Sequence, residues 1–114
     1  MSPNGVTSAN DNSVIPGAFA LNQNYPNPFN PSTTISFQIP AVSRVNLKVF
    51  NVLGQEIATL MNDEVAAGNH EILWMGKDNA GHAVASGIYF YRIAASATVG
   101  GAEFTSIRKM LLLK

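Results

Sequence analysis

The chain has 114 residues with seven basic and seven acidic side chains, so its formal net charge is zero. Only 12% of the residues are charged, which excludes the basic footprint of a nucleic-acid-binding protein. Cysteine is absent, which excludes a disulfide framework, a thiolate metal site and a cysteine nucleophile. A chain of this length forms one domain, which buries roughly 65% of the surface of its unfolded form.

Residues 1–18 have the composition of the end of a flexible linker. They are rich in Ser, Asn, Gly, Pro and Thr, and Val14 and Ile15 form their only adjacent large apolar pair. The first residues lack the basic region and apolar stretch of a signal peptide, and no apolar run in the chain approaches the ~18 residues of a membrane span. We expect the natural chain to continue upstream of Met1, with any export signal there. The domain itself is expected over residues 19–114.

A proline-rich segment with the sequence YPNPFNP occupies residues 25–31. Each proline fixes its own φ and keeps the residue before it out of the α region, so the segment excludes both helix and regular strand. Asparagine precedes two of the three prolines and can close Asx turns. The pattern predicts a rigid connection that leads into the first long strand.

From residue 35 onward, apolar and polar side chains alternate with a period of two, which indicates half-buried strands. The pattern predicts strands over 35–39, 45–49, 55–60, 69–75, 82–85, 87–95 and 103–113, separated by turns rich in Gly, Asn and Asp. No window shows a helical stripe with caps. These short antiparallel strands predict an all-β fold, an Ig-like antiparallel β-sandwich of about seven strands.

The same alternation predicts which side chains fill the core. The expected core residues are Ile35, Phe37, Ile39, Val45, Leu47, Val49, Ile57, Leu60, Ile72, Trp74, Ile88, Phe90, Ile107 and Leu111. On the strand over 87–95, this choice leaves two tyrosines on the opposite face.

Those tyrosines, Tyr89 and Tyr91, raise an alternative function. An exposed aromatic pair on a β-sandwich is how many carbohydrate-binding modules stack on sugar rings. The alternative is therefore a carbohydrate-binding or Ig-like accessory module of a secreted glycoside hydrolase. Against it, a tyrosine in a central strand commonly packs with only its hydroxyl in water.

Residues suited to catalysis or metal binding are few. His70 and His82 stand twelve residues apart, without the Asp and Glu grouping of a zinc or iron site. Asp63-Glu64 and Asp78-Asn79 offer oxygens for calcium, but Asp and Asn at turn starts ordinarily satisfy backbone donors by themselves. We therefore expect no catalytic residue, no metal site and no cofactor, and hence no enzyme.

Several separated motifs, taken in order, resemble the C-terminal sorting domain of type IX secretion over about residues 19–114. They are YPNPFNP at 25–31, LGQ at 53–55, AGNH at 67–70, Trp74, SGIYFYR at 86–92 and KMLLLK at 109–114. The same Ig-like unit also resembles a domain of flagellar hook-capping proteins, which is a second alternative.

The sorting-domain resemblance implies a non-catalytic domain at the C-terminus of exported proteins of Bacteroidetes-type bacteria. It implies three partners, namely the type IX translocon, a sortase and a covalently linked upstream cargo protein, and a location in the secreted or cell-surface fraction, reached through the periplasm. In that family the basic C-terminus is part of what the machinery recognises, so an end on Lys114 favours sorting over hook capping. The residues expected to be recognised by the translocon or sortase are Pro26, Asn27, Pro28, Gly87, Tyr89, Lys109 and Lys114.

Overall fold

The computed structural model describes residues 16–114. Most of the expected linker, residues 1–15, lies outside the described residues. The strands are β1 (Ala20–Leu21), β2 (Thr33–Ile39), β3 (Ser43–Phe50), β4 (Glu56–Val65), β5 (Gly68–Trp74), β6 (Gly87–Ala97) and β7 (Glu103–Leu112). Within residues 16–114, no helix has the length and apolar character needed to cross a membrane.

The strands form two antiparallel sheets. One sheet has three strands in the order β1-β2-β5, and the other has four in the order β4-β3-β6-β7. The long strands β3 and β6 pair along their length, from Ser43 opposite Ala97 to Phe50 opposite Phe90. The predicted all-β, Ig-like antiparallel sandwich of about seven strands is confirmed.

The strand prediction is wrong in three places. β4 continues to Val65, five residues beyond its predicted end at residue 60. β1 was not predicted, because a strand of two residues is too short to show alternation. The predicted strand over 82–85 is a turn that carries only an isolated bridge between Lys77 and Ala83. Asp78 organises this turn, since its Oδ1 accepts hydrogen bonds from the amides of Ala80 and His82 at 3.0 and 2.9 Å.

The predicted core is confirmed on β2, β3 and the end of β5. The fully or almost fully buried side chains there are Ile35, Phe37, Ile39, Val45, Leu47, Val49 and Trp74. Ile57, Leu60 and Ile72 pack against this cluster and are partly buried. On these strands, the alternation of apolar and polar side chains was therefore sufficient to predict which of them face the core.

The predicted inward face of β6 is wrong. Tyr89 and Tyr91 are 7% and 0% exposed, whereas Ile88 is 41% exposed and Phe90 is half-buried. Apolar residues occupy both faces of this strand, so hydrophobicity alone did not determine which face turns inward. Because both tyrosine rings are buried, they cannot form a stacking platform for sugars.

The error on β6 propagates to β7, because the two strands pair and their side chains share faces. Tyr89 lies opposite Met110, and both side chains point into the sandwich. The predicted core residues Ile107 and Leu111 lie on the other face, where Ile107 is 58% exposed and Leu111 is half-buried.

Candidate recognition surface

The proline segment, defined here as residues 24–31, connects β1 to β2 along the end of the sandwich. Tyr25 and Thr34 exchange two main-chain hydrogen bonds of 3.0 and 2.9 Å, which anchor the segment to the start of β2. The Tyr25-Pro26, Asn27-Pro28 and Asn30-Pro31 bonds are all cis. The two hydrogen bonds between Tyr25 and Thr34 make the segment an ordered part of the domain, as the prolines predicted.

A buried polar network holds the first residue of this segment. The Asn24 amide donates to the Tyr91 hydroxyl at 2.8 Å, and that hydroxyl donates to the Asn22 carbonyl at 2.6 Å. The side-chain amide of Asn24 donates to Thr33 Oγ1 at 2.9 Å. Each buried polar group therefore has a partner, which is what its burial requires.

The hydroxyl of Tyr91 is poorly solvated in this network. Burial raises the pKa of Tyr91 above its usual value, and a hydrogen bond from Asn24 and the charge of Arg108 act in the opposite direction. Burial alone also raises the pKa of Tyr89. Both tyrosines are consequently neutral hydrogen-bonding groups of the core at physiological pH.

Phe29 inserts from the middle of the proline segment into the core. Its side chain is buried, and its ring lies 5.8 Å from that of Trp74, which in turn meets Tyr89 edge-on at 5.7 Å. Trp74 Nε1 donates to the Lys77 carbonyl at 2.9 Å. This aromatic row fixes the depth of the segment against the end of the sandwich.

The main chain of Phe29 pairs with the last residues of β7. The Phe29 amide donates to the Leu111 carbonyl at 3.0 Å, and the Leu113 amide donates to the Phe29 carbonyl at 2.9 Å. The two stretches run parallel there, with Phe29 opposite Leu112. The proline segment therefore acts as a short extra strand on the free edge of β7.

Two side chains complete this coverage of the edge. The Leu111 amide donates to Asn27 Oδ1 at 3.0 Å, and Gln23 Nε2 donates to the Lys109 carbonyl at 2.8 Å. Groups that would otherwise remain open on an edge strand are thus bonded. Residues some 85 positions apart in sequence are joined in one surface.

The structure brings most of the predicted recognition residues to this surface. Asn27 caps β7, Gly87 lies opposite Leu112, and the Lys114 amide donates to Ser86 Oγ at 3.1 Å. Pro26, Pro28 and the side chains of Lys109 and Lys114 are exposed around it.

Tyr89 is the exception among the predicted residues. It is buried, and its hydroxyl donates to the Ala85 carbonyl at 2.7 Å, so its ring supports the surface from inside and has no exposed face for a receptor.

Sequence reasoning missed that Asn24, Phe29 and Tyr91 hold the surface together, and it considered Tyr91 only for sugar stacking. Phe29 belongs to the YPNPFNP motif but was not expected in the core, and Asn24 and Tyr91 form their contact across 67 residues. The available signal was local: an apolar ring between Pro28 and Pro31, and an Asn two residues before Pro26.

The described residues contain no group of three or more His, Asp or Glu side chains that could hold a metal ion. Asp78 is committed to its own turn, and Asp63 Oδ1 accepts from the Glu64 amide at 2.8 Å. His70 Nε2 bonds the Ala66 carbonyl at 2.7 Å, and the exposed His82 lies 3.8 Å from Asp78 Oδ2. In the described part of the chain, the acidic turns satisfy their own backbone donors.

Comparison with known proteins identifies a matching family and similar folds. The family model described as FlgD Ig-like domain matches residues 22–101. No curated protein gives a significant match. The structure of dimeric latent PorU from Porphyromonas gingivalis is similar, with a TM-score of 0.68 and 18% identity over 89% of this chain and 10% of PorU.

Two structures of FlgD are similar as well. FlgD from Xanthomonas campestris, described as giving insight into hook capping essential for flagellar assembly, gives a TM-score of 0.52 and 22% identity over 85% of this chain and 65% of its own. FlgD from P. aeruginosa gives a TM-score of 0.51 and 23% identity over 70% of this chain and 59% of its own. The chain thus spans about a tenth of PorU and about three-fifths of each FlgD chain, and the shared feature is the fold.

Proposed function

The chain belongs to the FlgD Ig-like domain family, and from that premise we propose that it is a non-catalytic C-terminal sorting domain of type IX secretion. In this proposal it directs an upstream cargo protein through the outer-membrane translocon, and a sortase acts on it at the cell surface. The cargo reaches the surface or the medium by way of the periplasm.

One observation carries the proposal. Three motifs that underlie the resemblance to sorting domains, at 25–31, 86–92 and 109–114, are far apart in sequence yet hydrogen-bonded at one end of the sandwich. A receptor that binds this end would read all three together. The fold shared with latent PorU supports the proposal at the level of architecture.

Two exposed lysines give this surface positive charges that an acidic partner can bind. Lys109 and Lys114 are exposed and have no carboxylate within 4.0 Å among residues 16–114, where the ion pairs are Lys48–Glu56 and His82–Asp78. A partner carboxylate could therefore form charge-assisted hydrogen bonds with either ammonium group.

The test is a reporter fused to the domain in a host with type IX secretion. We expect the intact fusion at the cell surface. Three altered fusions should remain in the periplasm: one that lacks Lys114, one with a polar extension after Lys114, and one with Lys109→Ala. Arg44→Ala, an exposed cation near the opposite end of the sandwich, is the matched control and should not change delivery.

Each altered side chain is exposed, so the change in unfolding free energy should stay within about 0.5 kcal/mol. Thermal unfolding of the purified domains verifies this. Normal surface delivery of all three altered fusions would show that these groups are not read, and mislocalisation of Arg44→Ala would show a general defect.

The second candidate is a hook-capping role, favoured by the family match and by the two FlgD structures. It predicts a different result. If residues 19–114 replace the Ig-like domain of a hook-capping protein, swimming should be restored, whereas the sorting proposal predicts a non-motile strain.

A further inference from the structure

The outer face of the four-stranded sheet carries an apolar groove that the proposed function does not use. Its volume is about 420 Å³, and it is lined by Phe50, Asn51, Val52, Gly54, Phe90, Arg92 and Ile107. The groove crosses the end of β3 and the first half of β6 and reaches the edge strand β7. Its lining includes part of the LGQ turn and one of the β7 side chains that the sequence had assigned to the core.

Much of this apolar surface is exposed to solvent. Val52 is 65% exposed and Ile107 is 58% exposed, and Ile88 stands beside Phe90 on the same face. A contiguous apolar patch of this kind on a small domain typically marks an interaction site.

Arg92 places a positive charge over the groove. Its guanidinium carbon lies 4.7 Å from the centre of the Phe50 ring, which holds the planar group above the apolar floor. No carboxylate among residues 16–114 lies within ion-pair distance of it. Asn51, the other polar lining side chain, is bonded to Leu53 and Gln55 in its own turn. The groove therefore presents one charged fork with no partner in the described chain.

At the β7 end of the groove, some main-chain groups also lack a hydrogen-bond partner in the described residues. The outward-facing groups of Lys109 and Leu111 are covered by Gln23, Asn27 and Phe29. Because outward positions recur every second residue, Ile107 is the next one along the strand, and the described residues supply no partner for its outward groups. A ligand at this end can thus form strand-like hydrogen bonds.

We infer that this groove binds an extended peptide segment of a partner protein, with apolar side chains and one Asp or Glu. Apolar side chains fit the floor formed by Phe50 and Phe90, a carboxylate pairs with the guanidinium of Arg92, and the peptide main chain bonds the edge at Ile107. A sugar lacks the apolar side chains, and a fatty acid lacks the main-chain groups. The inference goes beyond the proposed function, because none of the residues that line the groove is among those proposed for recognition by the translocon or sortase.

The experiment uses the full chain as bait for a phage-displayed library of random linear nonapeptides. We expect the enriched sequences to share an Asp or Glu flanked by aromatic or aliphatic residues. The selected peptide, made synthetically, is then measured by fluorescence anisotropy, with an acidic oligosaccharide as a second probe. Tighter binding of the oligosaccharide, or no enrichment, would overturn the inference.

Variants of the chain locate the site. Ile107→Lys should weaken peptide binding at least tenfold, and Leu73→Lys should not, since the two side chains are equally exposed at 58% but lie on different sheets. Equal effects of the two would place the peptide elsewhere. Thermal unfolding confirms that each variant is folded.

A double-mutant cycle tests the charge pair. Arg92→Gln, or an amide in place of the peptide carboxylate, should each weaken binding about ten- to hundredfold. The two changes together should weaken peptide binding no more than either change alone, because both remove the same contact. Arg92→Lys provides a second variant that keeps the charge and loses the fork. Additive losses would show that the carboxylate does not contact Arg92.

Discussion

The hydroxyl of Tyr91 should contribute more to stability than any other tyrosine hydroxyl of this domain. Tyr91→Phe removes one oxygen and leaves the ring in place. That oxygen donates to the Asn22 carbonyl at 2.6 Å and accepts from the Asn24 amide at 2.8 Å. Asn24 is 2% exposed, so water cannot readily replace the lost partner.

The size of the effect follows from these two bonds. Each neutral hydrogen bond contributes about 1 kcal/mol net, and a buried group left without a partner costs about 1–3 kcal/mol. We expect Tyr91→Phe to lower the free energy of unfolding by about 2–4 kcal/mol, against a total of about 5–15 kcal/mol for a domain. The melting temperature should fall by roughly 10–20 °C.

The other two tyrosines provide matched controls for the same chemical change. Tyr89 makes one side-chain hydrogen bond, to the Ala85 carbonyl at 2.7 Å, so Tyr89→Phe should cost about 0.5–1.5 kcal/mol. Tyr25 is 80% exposed, and Tyr25→Phe should stay within about 0.5 kcal/mol.

The assay is urea and thermal unfolding of the full chain at pH 7, monitored by circular dichroism. The predicted order of losses is Tyr91, then Tyr89, then Tyr25. A loss below about 1 kcal/mol for Tyr91→Phe, or equal losses for Tyr89 and Tyr91, would refute the reasoning from the buried network.

Burial raises the pKa of Tyr91 above its usual value, so the folded state holds this proton longer than the unfolded chain; stability should be intact below the unfolded pKa of about 10 and fall as the pH rises through the folded pKa. Urea midpoints from pH 8 to 11 should show this fall, and an equally steep fall in Tyr91→Phe would contradict it. Gly76→Ala should cost about 1–3 kcal/mol, because φ is +70° and the new Cβ would lie 3.0 Å from the Pro31 carbonyl; Gly17→Ala, with open space around it, is the control in thermal unfolding. Asn27→Ala should speed hydrogen exchange of the β7 amide that it caps, with a stability loss of about 0.5–1.5 kcal/mol, and an unchanged exchange rate would show that the cap contributes nothing.

Period-two alternation predicted β2 and β3 and their inward side chains, because polar residues separate the apolar ones there. It was wrong on β6, where Ile88 and Tyr89 are both apolar enough to be buried. Which face of β6 turns inward depends on hydrogen-bond partners for the tyrosine hydroxyls, and these partners come from residues 22, 24 and 85. Such partners are a property of the folded chain that alternation does not report.

The candidate recognition surface was predictable only in its parts. The prolines predicted an ordered segment, and the motif order suggested a common role for Asn27, Gly87 and Lys109. That Asn27 caps β7 and that Phe29 pairs beside Leu112 are contacts across more than 80 residues, with no local signal. The outer groove was hidden by the same error that placed Ile107 in the core.

The pairing of the proline segment with β7 also determines when the domain can complete its folding during synthesis. Hydrogen bonds from Gln23 to Lys109 and from Leu111 to Asn27 span 86 and 84 residues. Contacts between such distant residues form slowly, and on the ribosome they wait until β7 has emerged. Until then Phe29 has no main-chain partner on that edge. The sandwich is therefore completed only after β7 has emerged, and any domain joined upstream of it has had time to fold.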